Sequence, residues 1–163
     1  MILDVLVAAV ILSIVFKRIK NIFQREYKLL YLIPLIFVIQ FIPFHKEILI
    51  PISFALMILF IFKNRGIPGF KWMGIGILMN GFIMTINGGK MPVLKELADR
   101  MGLHIGNRHI PITEWNWKII LGDWIPVHLP YGRQFIISPG DILVYIGVFL
   151  FFLSPRSDHL PRT

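Results

Sequence analysis

Five runs of apolar residues, each about 13 to 17 long, dominate this chain and restrict what it can fold into. They cover residues 2–16, 29–44, 48–62, 70–86 and 141–154, and the charged residues sit between them. Lipid is the natural solvent for such blocks. Composition points the same way: 56% of the 163 residues are hydrophobic and only 16% charged, where a soluble domain carries about 25% charged. The expectation is an all-α integral membrane fold of five transmembrane helices, one membrane domain over residues 1–163. The runs fall short of the roughly 20 residues that comfortably span a bilayer. Snorkelling lysines and arginines, local thinning or one re-entrant segment would have to make up the difference.

Flanking charge sets the expected orientation. The first run is followed by Lys17, Arg18 and Lys20, the reverse of a cleaved secretory signal. It therefore reads as an uncleaved helix with its N-terminus outside. The first connection holds five basic residues, the second only Lys46, and the third Lys63, Arg65 and Lys71. Under the positive-inside rule that alternation predicts a multi-pass protein of the cell membrane. Its C-terminal tail, with Arg156 and Arg162, would be cytoplasmic. The net charge of +8 is assigned to topology and anionic head groups, not to nucleic acid, because no nucleic-acid module accompanies it. The absence of cysteine excludes disulfides, thiol catalysis and cysteine-ligated metal.

The 53 residues from Gly88 to Gly140 form the one long connection and would lie outside the cell. Pro92 to Arg100 reads as a short amphipathic helix lying flat on the membrane, stopped at Gly102. Lys95–Asp99 and Glu96–Arg100 are i,i+4 pairs on its polar face. From Thr113 to Ile119, Trp115, Trp117 and Ile119 alternate with Glu114, Asn116 and Lys118, a strand signal. Gln134 to Ile137 would pair with that strand after the turn at Pro130-Tyr131-Gly132, giving an outer subdomain of a surface helix and a small hairpin.

Three places carry candidate chemistry. Asn87-Gly88-Gly89-Lys90 combines adjacent glycines with a cation, which would expose backbone N–H groups as an anion or head-group cradle. A helix C-cap with a snorkelling lysine is the structural alternative. Asp123 and Asp141 each follow a glycine and precede apolar residues. As helix caps they need no further role; brought together, they would share a proton and act as base and acid. Asn80 and Asn87, seven apart, lie near one face of their helix and suit helix–helix hydrogen bonds. The histidines at 45, 104, 109, 128 and 159 suit no standard metal motif, so no metal and no cofactor is expected.

At Asn87–Val93, Gly122–Pro126 and Ser138–Gly147 the chain resembles a small bacterial membrane-protein family catalogued only as a domain of unknown function. The setting Ser138-Pro139-Gly140-Asp141-Ile142-Leu143 is similar to that in lipoprotein signal peptidases, where an aspartate opens the last helix. Their Gly-Asn-x-x-Asp-Arg motif is absent here, so Asp123 would have to replace the missing aspartate. The leading expectation is a non-enzymatic membrane component. It would bind the bilayer, anionic lipid head groups or a membrane-protein partner through Asn87–Lys90 and the outer segment, with a homo-oligomer as the expected assembly. The alternatives are a membrane-embedded aspartyl hydrolase using Asp123 and Asp141, or a small transporter subunit.

Overall fold

A computed structural model describes residues 1–155 of the chain. Arg156 and Arg162, on which part of the orientation argument rests, lie outside the described residues, as does His159. Five helices come first: α1 (Ile2–Val15), α2 (Ile19–Phe23), α3 (Leu32–Phe41), α4 (Lys46–Lys63) and α5 (Phe70–Ile86). A mixed segment follows, with β1 (Met91–Leu94), α6 (Lys95–Arg100), β2 (His109–Ile112), α7 (Trp117–Leu121), β3 (Ile125–His128) and β4 (Gln134–Ile137). Helix α8 (Pro139–Leu153) closes the described chain. Left-handed residues at Lys17, Leu29, His45 and Gly69 separate the helices of the first half and fix where each can begin.

This architecture overturns the all-α membrane reading. No helix among the described residues is long and apolar enough to cross a membrane. The longest, α4, has 18 residues, about 27 Å at the helical rise, against a hydrocarbon core of about 30 Å. Its ends are Lys46, Glu47 and Lys63, so its apolar stretch is shorter still. Helices α1, α3, α5 and α8 have 14, 10, 17 and 15 residues. Counting apolar residues along the sequence included stretches such as Leu29–Tyr31 and Ile42–Phe44 that the chain spends on turns. Four strands also stand where an all-helical protein has none. Large apolar side chains nevertheless remain exposed on several helices, among them Leu3, Phe23, Phe37 and Phe41.

Helices α5 and α8 make the tightest contact in the molecule, and glycines are the reason. A Cβ at Gly76 would come within 2.3 Å of the Gly140 carbonyl oxygen, and one at Gly69 within 2.1 Å of the Gly147 carbonyl oxygen. The pairs 76/140 and 69/147 run in opposite directions, so the helices pack antiparallel with their backbones touching. On the other side of α5, Gly81 receives the ring of Phe54 from α4. A core of Leu32, Ile36, Phe60, Ile61, Phe70 and Ile77 joins α3, α4 and α5, and a smaller one of Val5, Ala9 and Val148 joins α1 to α8. Buried Asn64 ties the end of α4 to the approach to α3. Its side chain accepts from Lys28 N and donates to the Lys28 and Phe60 carbonyls, each at 2.8 Å.

The mixed segment differs from expectation in three respects. Met91–Leu94 is a strand, paired in parallel with His109–Ile112. The connection between them, residues 95–108, is long enough for the crossover that parallel strands require. Helix α6 starts after that strand and keeps both expected ion pairs, Lys95–Asp99 and Arg100–Glu96, at 2.6 Å each. Its apolar side faces the protein, with Ala98 buried, and so is not free to lie on a membrane. Gly102, at φ +63°, follows its end as anticipated. Residues 113–119 do not form a strand. Asn116 caps α7 instead, its side chain accepting from Lys118 N, and a cap followed by one helical turn imitates alternation over so short a stretch. The hairpin that does form pairs Gln134–Ile137 with Ile125–His128.

Candidate functional site

The parallel pairing brings together two residues 14 apart in sequence. Strand β1 is bordered on one edge by β2 and on the other by the residues entering β3. There the Asp123 N–H donates to the Pro92 carbonyl at 2.8 Å, and the Leu94 N–H donates to the Asp123 carbonyl at 3.0 Å. Gly122 makes this approach feasible, since a Cβ would lie 2.6 Å from the Pro92 oxygen. Met91 is opposite His109 and Val93 opposite Asp123. With a side-chain period of two, His109, Val93 and Asp123 therefore stand on one face. Across β1, His109 Nε2 reaches to 3.4 Å from Asp123 Oδ2.

Asp123 is buried, and its other oxygen, Oδ1, has no hydrogen-bond partner. Burial pushes its pKa up to about 6; the His109 hydrogen bond opposes the rise and the nearby charge of Asp141 adds to it. His109 moves upward as well, chiefly through its hydrogen bond to Asp123, with burial opposing and the Gly106 carbonyl assisting. The pair therefore holds a proton more tightly than either group would alone in water.

A cavity of about 260 Å³ opens over this face. Leu103 and Ile105 form one apolar wall and Phe135 and Ile136, from β4, another, while His104, Gln134, His109 and Asp123 supply the polar lining. The β3–β4 hairpin that forms the second wall is tied down at its tip. Tyr131 donates to Asp4 Oδ1 at 2.9 Å and the Arg133 guanidinium meets the same oxygen, linking the turn to the start of α1.

Asp141 lies close enough to act on Asp123 electrostatically, but its own oxygens are engaged. Oδ1 accepts from Asn80 Nδ2 at 2.8 Å and Oδ2 from Ser138 N at 3.1 Å. With Ser138 Oγ accepting from the Asp141 N–H, the two residues form a capping box at the start of α8. Ser138 also donates to Asn80 Oδ1 at 3.0 Å, so the buried asparagine links α5 to the α8 terminus. Tyr145, one turn further on, is held protonated by burial first and by the charges of Asp141 and Asp123 next.

The other predicted site residues lie at the end of α5. The Gly89 N–H donates to the Met84 carbonyl and the Lys90 N–H to the Asn87 carbonyl, at 2.8 and 3.3 Å, closing the helix rather than facing solvent. Asn87 donates to the Ile83 carbonyl and accepts from Lys118 Nζ at 3.2 Å. Gly89 seats the turn against the Lys46 carbonyl, where a Cβ would come within 2.7 Å. Gly88 and Lys90 are exposed. Among the described residues no group of three or more histidine and acidic side chains is placed to hold a metal ion. Sequence reading singled out Asp123 but not its direct contact with His109, which becomes visible only once β1 is known to lie between them.

The chain belongs to a family of unknown function, DUF5317, whose model matches residues 1–153. An uncharacterised protein of Thermotoga maritima is 51% identical over 162 residues, covering 99% of this chain and 96% of the relative. No solved structure matches. Neither relationship bears on the local similarity to lipoprotein signal peptidases.

Proposed function

We propose that the cavity over Asp123 is an acid–base site, with hydrolysis of a neutral substrate as its reaction class. The observation that carries this reading is the buried Asp123 carboxylate in the cavity lining, its Oδ1 without a hydrogen-bond partner while its other oxygen is held by His109. Buried acceptors are normally satisfied, and the exceptions concentrate where a ligand or a proton belongs. The Asp123 carboxylate would take a proton from water as the water oxygen attacks the substrate, and return it to the leaving group as the scissile bond breaks. Asp141, with both oxygens engaged, would tune Asp123 through its charge and not exchange protons itself. This assignment differs from the base-and-acid pair of Asp123 and Asp141 expected from the sequence.

The test is a panel of chromogenic esters and anilides assayed with wild type, Asp123→Asn and Asp141→Asn. Loss of general-base catalysis costs about 10²–10⁴-fold, so Asp123→Asn should fall by at least the lower figure while the protein stays folded. Wild-type activity should rise as pH passes about 6, where Asp123 becomes ionised. Asp141→Asn should move that limb to lower pH. Full activity in Asp123→Asn would reject the proposal.

A second reading rests on exposed Lys90, with Lys118 beside Asn87 and Trp117 exposed next to it. This end could bind an anionic head group through side-chain charge, since the turn's Gly89 and Lys90 N–H groups are already used. Lys90→Glu with Lys118→Glu should then abolish retention on anionic vesicles and leave neutral vesicles unaffected. Equal retention before and after would reject it.

A further inference from the structure

We infer that a groove between α3, α4 and α5 binds the aliphatic chain of a medium-chain fatty acid, with its carboxylate at the basic end of the three helices. The groove is lined by Ile33, Ile36, Phe37, Met57, Phe60 and Ile77 and has a volume of about 180 Å³. No polar side chain lines it. Phe37 is 60% exposed and Ile33 36%, so the groove is open along its flank. An apolar channel with an open side suits a flexible chain better than a compact polar ligand.

The charge around the groove selects the head group. Asn64 binds both backbone groups of Lys28, which places the start of α3 beside the end of α4. The short turn from α4 to α5 brings Lys71 to the same end. Lys28, Lys63, Arg65 and Lys71 are all exposed there, with Glu26 the acidic residue nearest in sequence. Phe60 and Ile77 lie three and six residues inward from Lys63 and Lys71, about 5–9 Å along a helix, and Ile33 is the second residue of α3. A carboxylate among the lysines would thus leave its first methylenes level with the groove. This groove is separate from the Asp123 cavity, and neither proposal depends on the other.

Displacement of a fluorescent polyene fatty acid tests it, with laurate, dodecanol and dodecyltrimethylammonium as competitors. Laurate should bind about tenfold more tightly than dodecanol, and the cation most weakly, the preference shrinking as salt rises. Lys28→Glu with Lys63→Glu changes only exposed side chains and should remove the preference for laurate while leaving dodecanol binding intact. Ile33→Trp, which fills the groove from its open side, should weaken all chains together. Equal affinity for laurate and dodecanol would overturn the head-group assignment. Unchanged binding in Ile33→Trp would overturn the groove itself, as would binding only to anionic vesicles and not to monomeric laurate.

Discussion

Replacing Asp123 with asparagine should make the protein more stable at alkaline pH and leave its stability unchanged at acid pH. In the folded chain burial raises the Asp123 pKa from its ordinary 3.8 to about 6. The folded state therefore binds more protons than the unfolded state between those values, and stability falls as pH rises through that window. Above it the ionised carboxylate costs about 3 kcal/mol, from roughly two pKa units at about 1.4 kcal/mol each. Asparagine carries no charge and avoids that cost, but it loses the contact with His109. A net gain of about 1–3 kcal/mol at pH 8 follows, or about 3–10 °C in Tm for a chain of this size. The assay is thermal or urea unfolding of both proteins at pH 3, below both pKa values, and at pH 8. An equal difference at the two pH values, or a variant less stable at pH 8, would refute the reasoning.

Three further outcomes follow from packing and hydrogen bonding. Gly76→Ala would place a methyl 2.3 Å from the Gly140 oxygen and 2.9 Å from Val144 N, both backbone atoms unable to move aside. Overpacking of about 1–3 kcal/mol or more should exceed the roughly 1 kcal/mol that alanine gains in a helix; Gly66→Ala, with open space around it, is the control for denaturant unfolding. Asn64→Ala strips the Lys28 N–H and carbonyl and the Phe60 carbonyl of one partner each. It should cost about 2–4 kcal/mol, read as a lower denaturation midpoint. Asp4→Asn weakens the anchor of the β3–β4 turn, so amide exchange should accelerate over residues 125–137 while α5 and α8 are unaffected.

Local chemistry made parts of this fold legible. The helix positions follow apolar runs punctuated by glycine, proline and lysine, and the ion pairs of α6 follow from spacing alone. Asp141 was recognisable as a residue at the start of α8 because Ser138-Pro139-Gly140-Asp141 is a helix entry by chemistry. The two Gly-Asp dipeptides also proved informative, though for a backbone reason. Gly122 lets the Asp123 segment close on β1, and Gly140 lets α8 close on α5 and Asn80.

The apolar runs read as full spans because hydropathy sums residues, whereas a span needs continuous helix, and no described helix is long and apolar enough. Left-handed Leu29 and His45 end that continuity without any apolar-to-polar change at Leu29. Strand β1 was hidden because Met91–Leu94 is buried throughout and shows no alternation. The tryptophans at 115 and 117 alternate with polar residues because one precedes a cap and the other follows it. The His109–Asp123 contact depends on register across a third strand, which no local pattern encodes.

The most direct test of Asp123 as the proton-handling centre is its own titration. Carbon-13 labelling of aspartate, with Asp123→Asn for assignment, gives the carboxyl shift as a function of pH. A midpoint near 6, moving downward in Asp141→Asn, is the predicted result. A midpoint at or below the ordinary 3.8, indifferent to Asp141, would make Asp123 a structural partner of His109 and contradict the account.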